Sequence, residues 1–102
     1  SNGATDARKH MEYHPLAQQK AGRHMEPFII DINPANNLDY TLSAHEGEEF
    51  IVVVSGKILF IYGKEQRVLE PGDSAYYNSV VPHYVGAVEG PAEIYAVLYT
   101  PL

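Results

Sequence analysis

Short apolar runs separated by turn residues dominate the chain from Pro27 onward. The runs are four to seven residues long and are rich in branched and aromatic side chains, which is typical of strands. No stretch keeps a sustained helical period. The pattern therefore predicts an all-β sandwich or barrel. The candidate strands are Phe28–Ile32, Leu38–Leu42, Glu49–Val54, Ile58–Tyr62, Gln66–Leu69, Ser74–Tyr77, His83–Val88 and Glu93–Tyr99.

Turn signals between these runs predict how the strands are joined. Ser55-Gly56 and Gly63-Lys64 each lie between two apolar runs and predict tight hairpins. Pro71-Gly72-Asp73 predicts a turn, since Pro presets φ and Gly supplies a positive φ if the turn is type II. Glu89-Gly90-Pro91 is interpreted as a further break. These short connections favour antiparallel neighbours.

Residues 1–26 are more polar and are interpreted as an extended lead-in, with the barrel over 27–102. One edge strand is expected at Glu12–Leu16, because Pro15 restricts a strand to an edge. Ser1-Asn2-Gly3 resembles the remnant of a removed tag, so we expect this chain to be part of a longer protein. Three histidines of the lead-in are expected to be exposed to solvent or disordered: His10, His14 and His24.

Two strands are apolar on both faces. In Glu49–Val54 and in Ile58–Tyr62, alternate side chains are hydrophobic on either side beyond Glu49. A strand with one solvated face alternates between apolar and polar residues. The outer face is therefore expected to be covered, either by the lead-in or by a second subunit, and we favour a homodimer.

Composition excludes several classes of function. The net charge is -6, and the seven Lys and Arg residues form no cluster, so we expect no direct contact with nucleic acid. There is no cysteine, which excludes disulfides and thiolate sites and fits a reducing, cytoplasmic location. The longest apolar run, Ile94–Tyr99, is too short to cross a bilayer, so no membrane partner is expected.

The residues most suited to site chemistry are His45, Glu49 and His83. His45 and Glu49 flank a short turn, and His83 follows Pro82 at the start of a later strand. Two imidazoles and one carboxylate suit a divalent transition metal with open coordination positions, provided that they point into one cavity. No nucleophile elbow, phosphate-binding loop or zinc-protease motif is present.

The surroundings of these residues resemble the two motifs of the cupin superfamily. His45-Glu46-Gly47-Glu48-Glu49-Phe50, with Gly56 seven positions after Glu49, is similar to the first motif. Pro71-Gly72-Asp73, followed after eight intervening residues by Pro82-His83, is similar to the second. The resemblance covers residues 27–102 and implies a double-stranded β-helix (jelly-roll) barrel that holds a ligand at its mouth.

Two positions depart from the cupin pattern. The metal ligands of cupins map to Ser43, His45, Glu49 and His83, and Ser43 stands where the first histidine is expected. The asparagine that often follows the second-motif histidine falls on Ala87. Serine is a poor ligand for transition metals, so the resemblance implies a three-ligand site for Zn, Fe, Mn or Ni with water in the gap. The alternative is a metal-free site in which the histidines and Glu49 hydrogen-bond to each other and to a ligand.

A narrower resemblance concerns bacterial regulators. The segment 23–30, the run beginning at His45 and Pro71-Gly72-Asp73-Ser74 are together similar to the C-terminal sensor cupin of Xre-type helix-turn-helix regulators. This implies a domain that senses a small-molecule effector while a preceding domain, absent from this chain, binds DNA. In such a regulator, effector binding changes how the paired DNA-binding domains meet the operator, which requires a preference for one conformation.

Two other functions stay open. One is a stand-alone metal-dependent enzyme of the oxygenase or isomerase type that uses His45, Glu49 and His83. The other is a metabolite- or carbohydrate-binding module without a switch. No catalytic residue is assigned, and the lack of an obvious general base weighs against an enzyme. The residues expected to contact a ligand are Tyr40, Ser43, His45, Glu49, Tyr77, His83 and Tyr95.

Overall fold

The computed structural model describes residues 10–35 and 41–101. Within these ranges all regular structure is β, and no helix is present. The six strands are β1 Met11–Pro15, β2 Met25–Ile32, β3 Glu48–Tyr62, β4 Glu65–Leu69, β5 Ser74–Asn78 and β6 His83–Tyr99. The predicted all-β fold is confirmed.

The strands form an antiparallel arrangement built around β3 and β6. The order across the sheet is β1-β2-β6-β3-β4, and β5 pairs with the first half of β3. β3 and β6 pair along almost their whole lengths, from Glu48 opposite Tyr99 to Tyr62 opposite His83. Each long strand therefore contributes to both halves of a jelly-roll sandwich, and Glu49, near the start of β3, lies opposite Leu98, near the end of β6.

β3 and β6 bend at the same level. The register shifts between Val53 and Lys57, and Gly56 there has φ of 77°. A Cβ at Gly56 would lie 2.6 Å from the carbonyl oxygen of Pro91, so glycine permits the two bends to approach. The predicted hairpin at Ser55-Gly56 is wrong, because glycine serves a bulge within one strand. The predicted break at Glu89-Gly90-Pro91 is likewise part of continuous β6.

The bulge also changes which residues face the core. Before it, Ile51 and Val53 are buried, and after it the even-numbered Ile58 and Phe60 are buried. β6 changes in the same way, from Val85 to Ile94 and Ala96. An inserted residue reverses the alternation of a strand, so both halves keep an apolar face inward. The remaining core residues include Ile30, Ile32, Leu69, Tyr77 and Ala92.

Other local predictions are confirmed. Gly63 and Lys64 join β3 to β4 as a two-residue hairpin, with Tyr62 opposite Glu65. The turn at Pro71-Gly72-Asp73 is closed by a hydrogen bond from the Asp73 amide to the Glu70 carbonyl, and Gly72 has φ of 92°. Most of the predicted strand 38–42 lies outside the described residues, and Thr41 and Leu42 are not in a strand.

The predicted edge strand of the lead-in is present as β1, which pairs with β2 from Met11 opposite Ile32 to Pro15 opposite Phe28. His24 and His14 are exposed, and His14 lies 2.9 Å from a carboxylate oxygen of Asp31. The expectation for His10 is wrong. Its ring is partly buried, stacks on Tyr84 and lies 3.0 Å from the Val85 carbonyl oxygen.

One face of the sheet remains apolar and exposed. We call this face the outer patch, and it spans β2, β6, β3 and β5. Phe50 lies opposite Tyr76 on one side, while Tyr99 lies opposite Met25. The described lead-in does not cover these side chains, which stay accessible. The exposed members of the outer patch are Met25, Phe50, Tyr76, Tyr95 and Tyr99. In the described part of the chain, no helix is long and apolar enough to span a membrane.

Candidate metal centre

His45, Glu49 and His83 are brought together by the pairing of the segment before β3 with the segment before β6. Ser43 and His83 exchange two backbone hydrogen bonds of 2.9 Å each. The His45 amide donates to the Ser79 carbonyl, and the Ser79 amide donates to the Gly47 carbonyl, both at 2.9 Å. These bonds fix the backbone on both sides of the turn that joins His45 to Glu49.

Gly47 is required by the path of this turn. Its φ is 115°, which L side chains rarely adopt. A Cβ at this position would lie 1.9 Å from the carbonyl oxygen of Tyr99. The turn therefore passes directly against the end of β6, which sets where the His45 and Glu49 backbones lie.

The three side chains converge on one point. Nε2 of His45 lies 2.9 Å from Oε2 of Glu49, and Nε2 of His83 lies 3.3 Å from the same oxygen. The ligand atoms of all three lie within 4.8 Å of one another. Ligands that share one metal at about 2.1 Å lie roughly 3 Å apart when adjacent, so these separations suit a shared ion.

The hydrogen bonds of the imidazoles favour a metal as well. Nδ1 of His45 lies 3.0 Å from the Glu46 carbonyl oxygen, and Nδ1 of His83 lies 2.8 Å from that of Val81. A carbonyl only accepts, so each Nδ1 carries a proton and donates it. In the neutral ring Nε2 then presents a lone pair. Metal-ligating histidines are oriented in this way, with the other ring nitrogen donating to a carbonyl or carboxylate.

Two lone pairs and a carboxylate oxygen that face each other repel unless a positive charge lies among them. A metal ion supplies that charge, and so does a proton on the imidazole. Burial by itself lowers the pKa of His83, but the hydrogen bonds to Glu49 and to the Val81 carbonyl, together with the Glu49 charge, outweigh it and raise the pKa above its usual value. The residues therefore fit a divalent cation, and a protonated His83 takes the cation's place without it.

The ionised carboxylate of Glu49 accepts hydrogen bonds from several neighbouring side chains. Tyr77 donates its hydroxyl hydrogen to Oε1 over 2.7 Å, and Ser79 donates to Oε2 over 3.1 Å. Burial raises the pKa of Glu49, but hydrogen bonds from His83, Tyr77 and Ser79 and the charge of His83 outweigh it, giving a value of about 2. Burial, followed by the Glu49 charge, raises the pKa of Tyr77 well above its usual value, so Tyr77 remains a donor. The Glu49 side chain is thus anionic at any ordinary pH.

The pocket beside these side chains is small and has a mixed lining. Its cavity volume is about 30 Å³. The polar lining comes from Ser43 and the three candidate ligands, while apolar and aromatic groups from β1 and β6 form the rest. Those groups are Met11, Tyr13, Tyr84, Val85 and Leu98.

The structure brings together most of the residues expected to contact a ligand. Ser43, His45, Glu49 and His83 line the pocket, and Tyr77 lies directly behind Glu49 as its cross-strand partner. Tyr95 does not join them. It alternates with the buried Ile94 and Ala96, so it lies on the outer patch. Tyr40 lies outside the described residues.

Sequence reasoning missed Ser79 and both β1 residues of the pocket. Ser79 lies two positions after Tyr77, and both side chains donate to the Glu49 carboxylate. Residues two apart on a strand face the same side, so the sequence could have identified Ser79 from the position of Tyr77. Met11 and Tyr13 reach the pocket only because β1 pairs with β2, and no local pattern specified that pairing.

The chain matches the Cupin_2 family of cupin domains over residues 32–98. The match covers well over half of its length and includes all three candidate ligands. The chain therefore belongs to the cupin domain family, which confirms the resemblance of its two motifs.

Known proteins similar to the chain include an enzyme and a regulator. It is 28% identical to (S)-2-hydroxypropylphosphonic acid epoxidase (HppE) of Streptomyces wedmorensis over 93 residues, which is 86% of the chain and 47% of the epoxidase. A solved structure of Fe(II)-HppE with the alternative substrate (S)-1-HPP aligns with a TM-score of 0.78 at 28% identity, over 88% of the chain and 50% of that protein. The chain spans about half the length of these relatives.

An HTH_3 family transcriptional regulator from Vibrio cholerae also aligns with the chain. The TM-score is 0.73 at 22% identity, over 91% of the chain and 52% of the regulator. At this identity the likeness concerns the fold alone. The fold that the chain adopts is therefore found both in a regulator and in an iron-containing enzyme.

Proposed function

We propose that the chain is a metal-centred cupin domain that binds a small organic ligand and serves as the sensor of a bacterial, cytoplasmic transcriptional regulator. One observation carries the metal part of this proposal. In both imidazoles Nδ1 donates a hydrogen bond to a backbone carbonyl, and Nε2 faces the same oxygen of the ionised Glu49. An arrangement of two histidines and one carboxylate with open positions is typical of non-haem iron and related divalent metals.

His45, Glu49 and His83 hold the metal in this account, and Tyr77 and Ser79 orient Glu49. Ser43 lies at the fourth position and leaves it open. A bound metal supplies a Lewis-acidic site that takes a carboxylate or hydroxyl oxygen of a ligand. The iron in the solved structure of the similar epoxidase supports iron as one candidate, beside zinc, manganese and nickel.

The pocket lining favours binding over proton-transfer catalysis. Among the described residues that line it, the three candidate ligands are the only His, Asp or Glu side chains. Once they coordinate a metal, no other group there titrates near neutral pH to act as a general acid or base. The likeness to the Vibrio cholerae regulator supports a sensor only at the level of the fold.

A second copy of the chain covers the outer patch in this proposal. Five large hydrophobic side chains are exposed together there, between 39% for Phe50 and 72% for Tyr76. Contiguous exposed apolar surface on a small domain marks an interaction site. A dimer gives the sensor a way to transmit a change, because two DNA-binding domains attached to it are repositioned when it changes conformation.

Sedimentation velocity tests the dimer. Phe50→Asp places a charge in the centre of the outer patch and is expected to give a monomer at concentrations where the wild type is a dimer. Val68→Asp is the matched control, since Val68 is 55% exposed on β4, outside the patch. A monomeric wild type, or a Phe50→Asp variant that stays dimeric, contradicts this interface.

Titration of the cobalt-loaded protein with acetate, the simplest carboxylate, tests the open coordination positions. Cobalt is visible in absorption spectra, and acetate is expected to change the spectrum of the wild type. The double variant His45→Ala with His83→Ala is expected to show no cobalt spectrum. A cobalt-loaded wild type that does not respond to acetate contradicts a metal that receives a ligand.

An enzyme is the second candidate function, and the 28% identity to an epoxidase is the observation that favours it. In that case the metal supplies redox chemistry at its open positions, and proton transfer by side chains is less important. The iron-loaded protein is incubated aerobically with (S)-2-hydroxypropylphosphonic acid and a chemical reductant, because epoxide formation supplies only two of the four electrons that reduce O2 to water. Nuclear magnetic resonance follows the product. Product formed catalytically supports the enzyme, whereas the absence of turnover supports the sensor.

A further inference from the structure

β1 forms one wall of the metal pocket. Met11 and Tyr13 are two residues apart, so they face the same side of the strand, and both line the pocket. The Tyr13 ring packs edge-on against Phe28 with ring centroids 5.2 Å apart, and its hydroxyl lies 3.5 Å from the Met11 sulfur. These contacts set the two side chains opposite the metal ligands.

The space that this wall leaves is too small for an organic molecule. A cavity needs about 10–15 Å³ to hold one water, so the volume of about 30 Å³ holds one or two. His83 is only 4% exposed behind it. A molecule of several heavy atoms therefore reaches the buried His83 only after Met11 and Tyr13 move.

β1 is attached in a way that allows such movement. It is a five-residue edge strand that, among the described strands, pairs with β2 alone, and Glu12, His14 and Pro15 are exposed. The adjacent His10 also contacts β6. β2 is itself paired with β6 along eight residues, so that pairing does not depend on β1. Short edge strands open at a lower free energy than the rest of a sheet.

We infer that β1 is a displaceable wall of the metal pocket and that Met11 and Tyr13 are its specificity-determining residues. With β1 in place the site admits water or a ligand of two or three atoms. With β1 displaced it admits a small organic molecule that has one coordinating polar end and a short apolar body, the latter packing on Val85 and Leu98. The role of this ligand rests on the proposed function.

A reversible disulfide tests the inference without any metal. Glu12 and Asp31 are direct cross-strand partners, and the chain has no cysteine, so Glu12→Cys with Asp31→Cys locks β1 to β2 when oxidised. The probe is diethyl pyrocarbonate, an organic reagent that modifies accessible neutral imidazoles, so all proteins are compared at one mildly alkaline pH. Mass spectrometry follows its reaction with His83, and exposed His24 is the internal reference.

Oxidation of the lock is expected to slow the modification of His83 about ten-fold relative to the reduced form, because opening of β1 limits access. The matched control is Leu59→Cys with Val68→Cys, an opposed pair on β3 and β4, which is expected to change nothing. Met11→Ala is expected to speed the reaction, and Val68→Ala, at an exposed position on β4 outside both the pocket and the outer patch, is its control. His83 modified equally fast in the locked, reduced and Met11→Ala proteins overturns the inference.

Failure of the proposed function and failure of the displaceable wall give different results. Metal content and the cobalt titration test the proposed function, whereas the lock experiment uses metal-free protein. A lock that protects His83 in a protein that binds no metal supports the displaceable wall and contradicts the metal centre. A protein that binds metal, but whose His83 reacts equally fast with and without the disulfide, supports the metal centre and contradicts the displaceable wall.

Discussion

The hydroxyl of Tyr77 lies 2.7 Å from Oε1 of Glu49, directly across the pairing of β5 with β3. This bond fixes one carboxylate oxygen and leaves the other facing the two histidines. Tyr77→Phe is therefore expected to weaken metal binding by roughly 10- to 100-fold, as is typical for partners that orient a ligand. Competition with a chromophoric chelator measures the affinity.

Tyr76→Phe is the matched control for Tyr77→Phe. Tyr76 is the next residue on β5 but faces outward, where its hydroxyl bonds Glu48. Its substitution is expected to leave metal affinity unchanged. An equal loss in both variants means that the strand as a whole, rather than the bond to Glu49, determines affinity.

Ser43→His is expected to raise metal affinity by about ten-fold or more, because it adds an imidazole at the open position opposite His83. Ala44→His is the control, since Ala44 is exposed and outside the pocket lining. Isothermal titration calorimetry with zinc compares the three proteins. No gain over the Ala44→His variant means that residue 43 does not reach the metal.

Stability of the metal-free protein is expected to fall in acid because of Glu49. Its pKa is about 2 in the folded chain and 4.5 ordinarily, so above pH 4.5 it is ionised in both states and its stabilisation is complete. As the pH falls from 4.5 towards 2, the unfolded chain binds a proton that the folded chain does not. The loss is on the order of 3 kcal/mol in the free energy of unfolding.

Urea unfolding at a series of pH values measures this loss. Glu49→Gln is expected to show a flatter acid dependence, because glutamine does not titrate. Glu46→Gln, an exposed neighbour, is expected to keep the wild-type curve. Identical acid slopes for wild type and Glu49→Gln contradict an ionised Glu49 stabilised by its partners.

Gly47→Ala is expected to lower the free energy of unfolding by several kcal/mol and to weaken metal binding. The added Cβ meets the Tyr99 carbonyl oxygen, and the positive φ adds strain of roughly 1–3 kcal/mol. Gly72→Ala separates these effects, since Gly72 also has a positive φ but has no neighbouring atom within 4 Å. Thermal unfolding measures the stability of both variants. An equal loss of stability in the two shows that the contact between the new Cβ and the Tyr99 carbonyl oxygen is relieved.

The sequence predicted the candidate site better than it predicted strand continuity. His45, Glu49 and His83 were identified because their spacing and the turns around them resemble cupin motifs. Ser55-Gly56 was assigned to a hairpin because a glycine with positive φ suits a hairpin and a bulge equally well, and only the partner strand decides. The covering of the pocket by β1 depends on Met11 meeting Ile32, a contact between residues far apart in the chain.

The most direct test of the central claim is the metal content of the purified protein by inductively coupled plasma mass spectrometry, after loading with iron, zinc, manganese or nickel. The wild type is expected to retain about one metal ion per chain, and the double variant His45→Ala with His83→Ala none. The outer-patch variant Phe50→Asp is the control, because it leaves His45, Glu49 and His83 unchanged. A folded wild type that retains no metal, or a double variant that retains as much as the wild type, contradicts a metal centre at these residues.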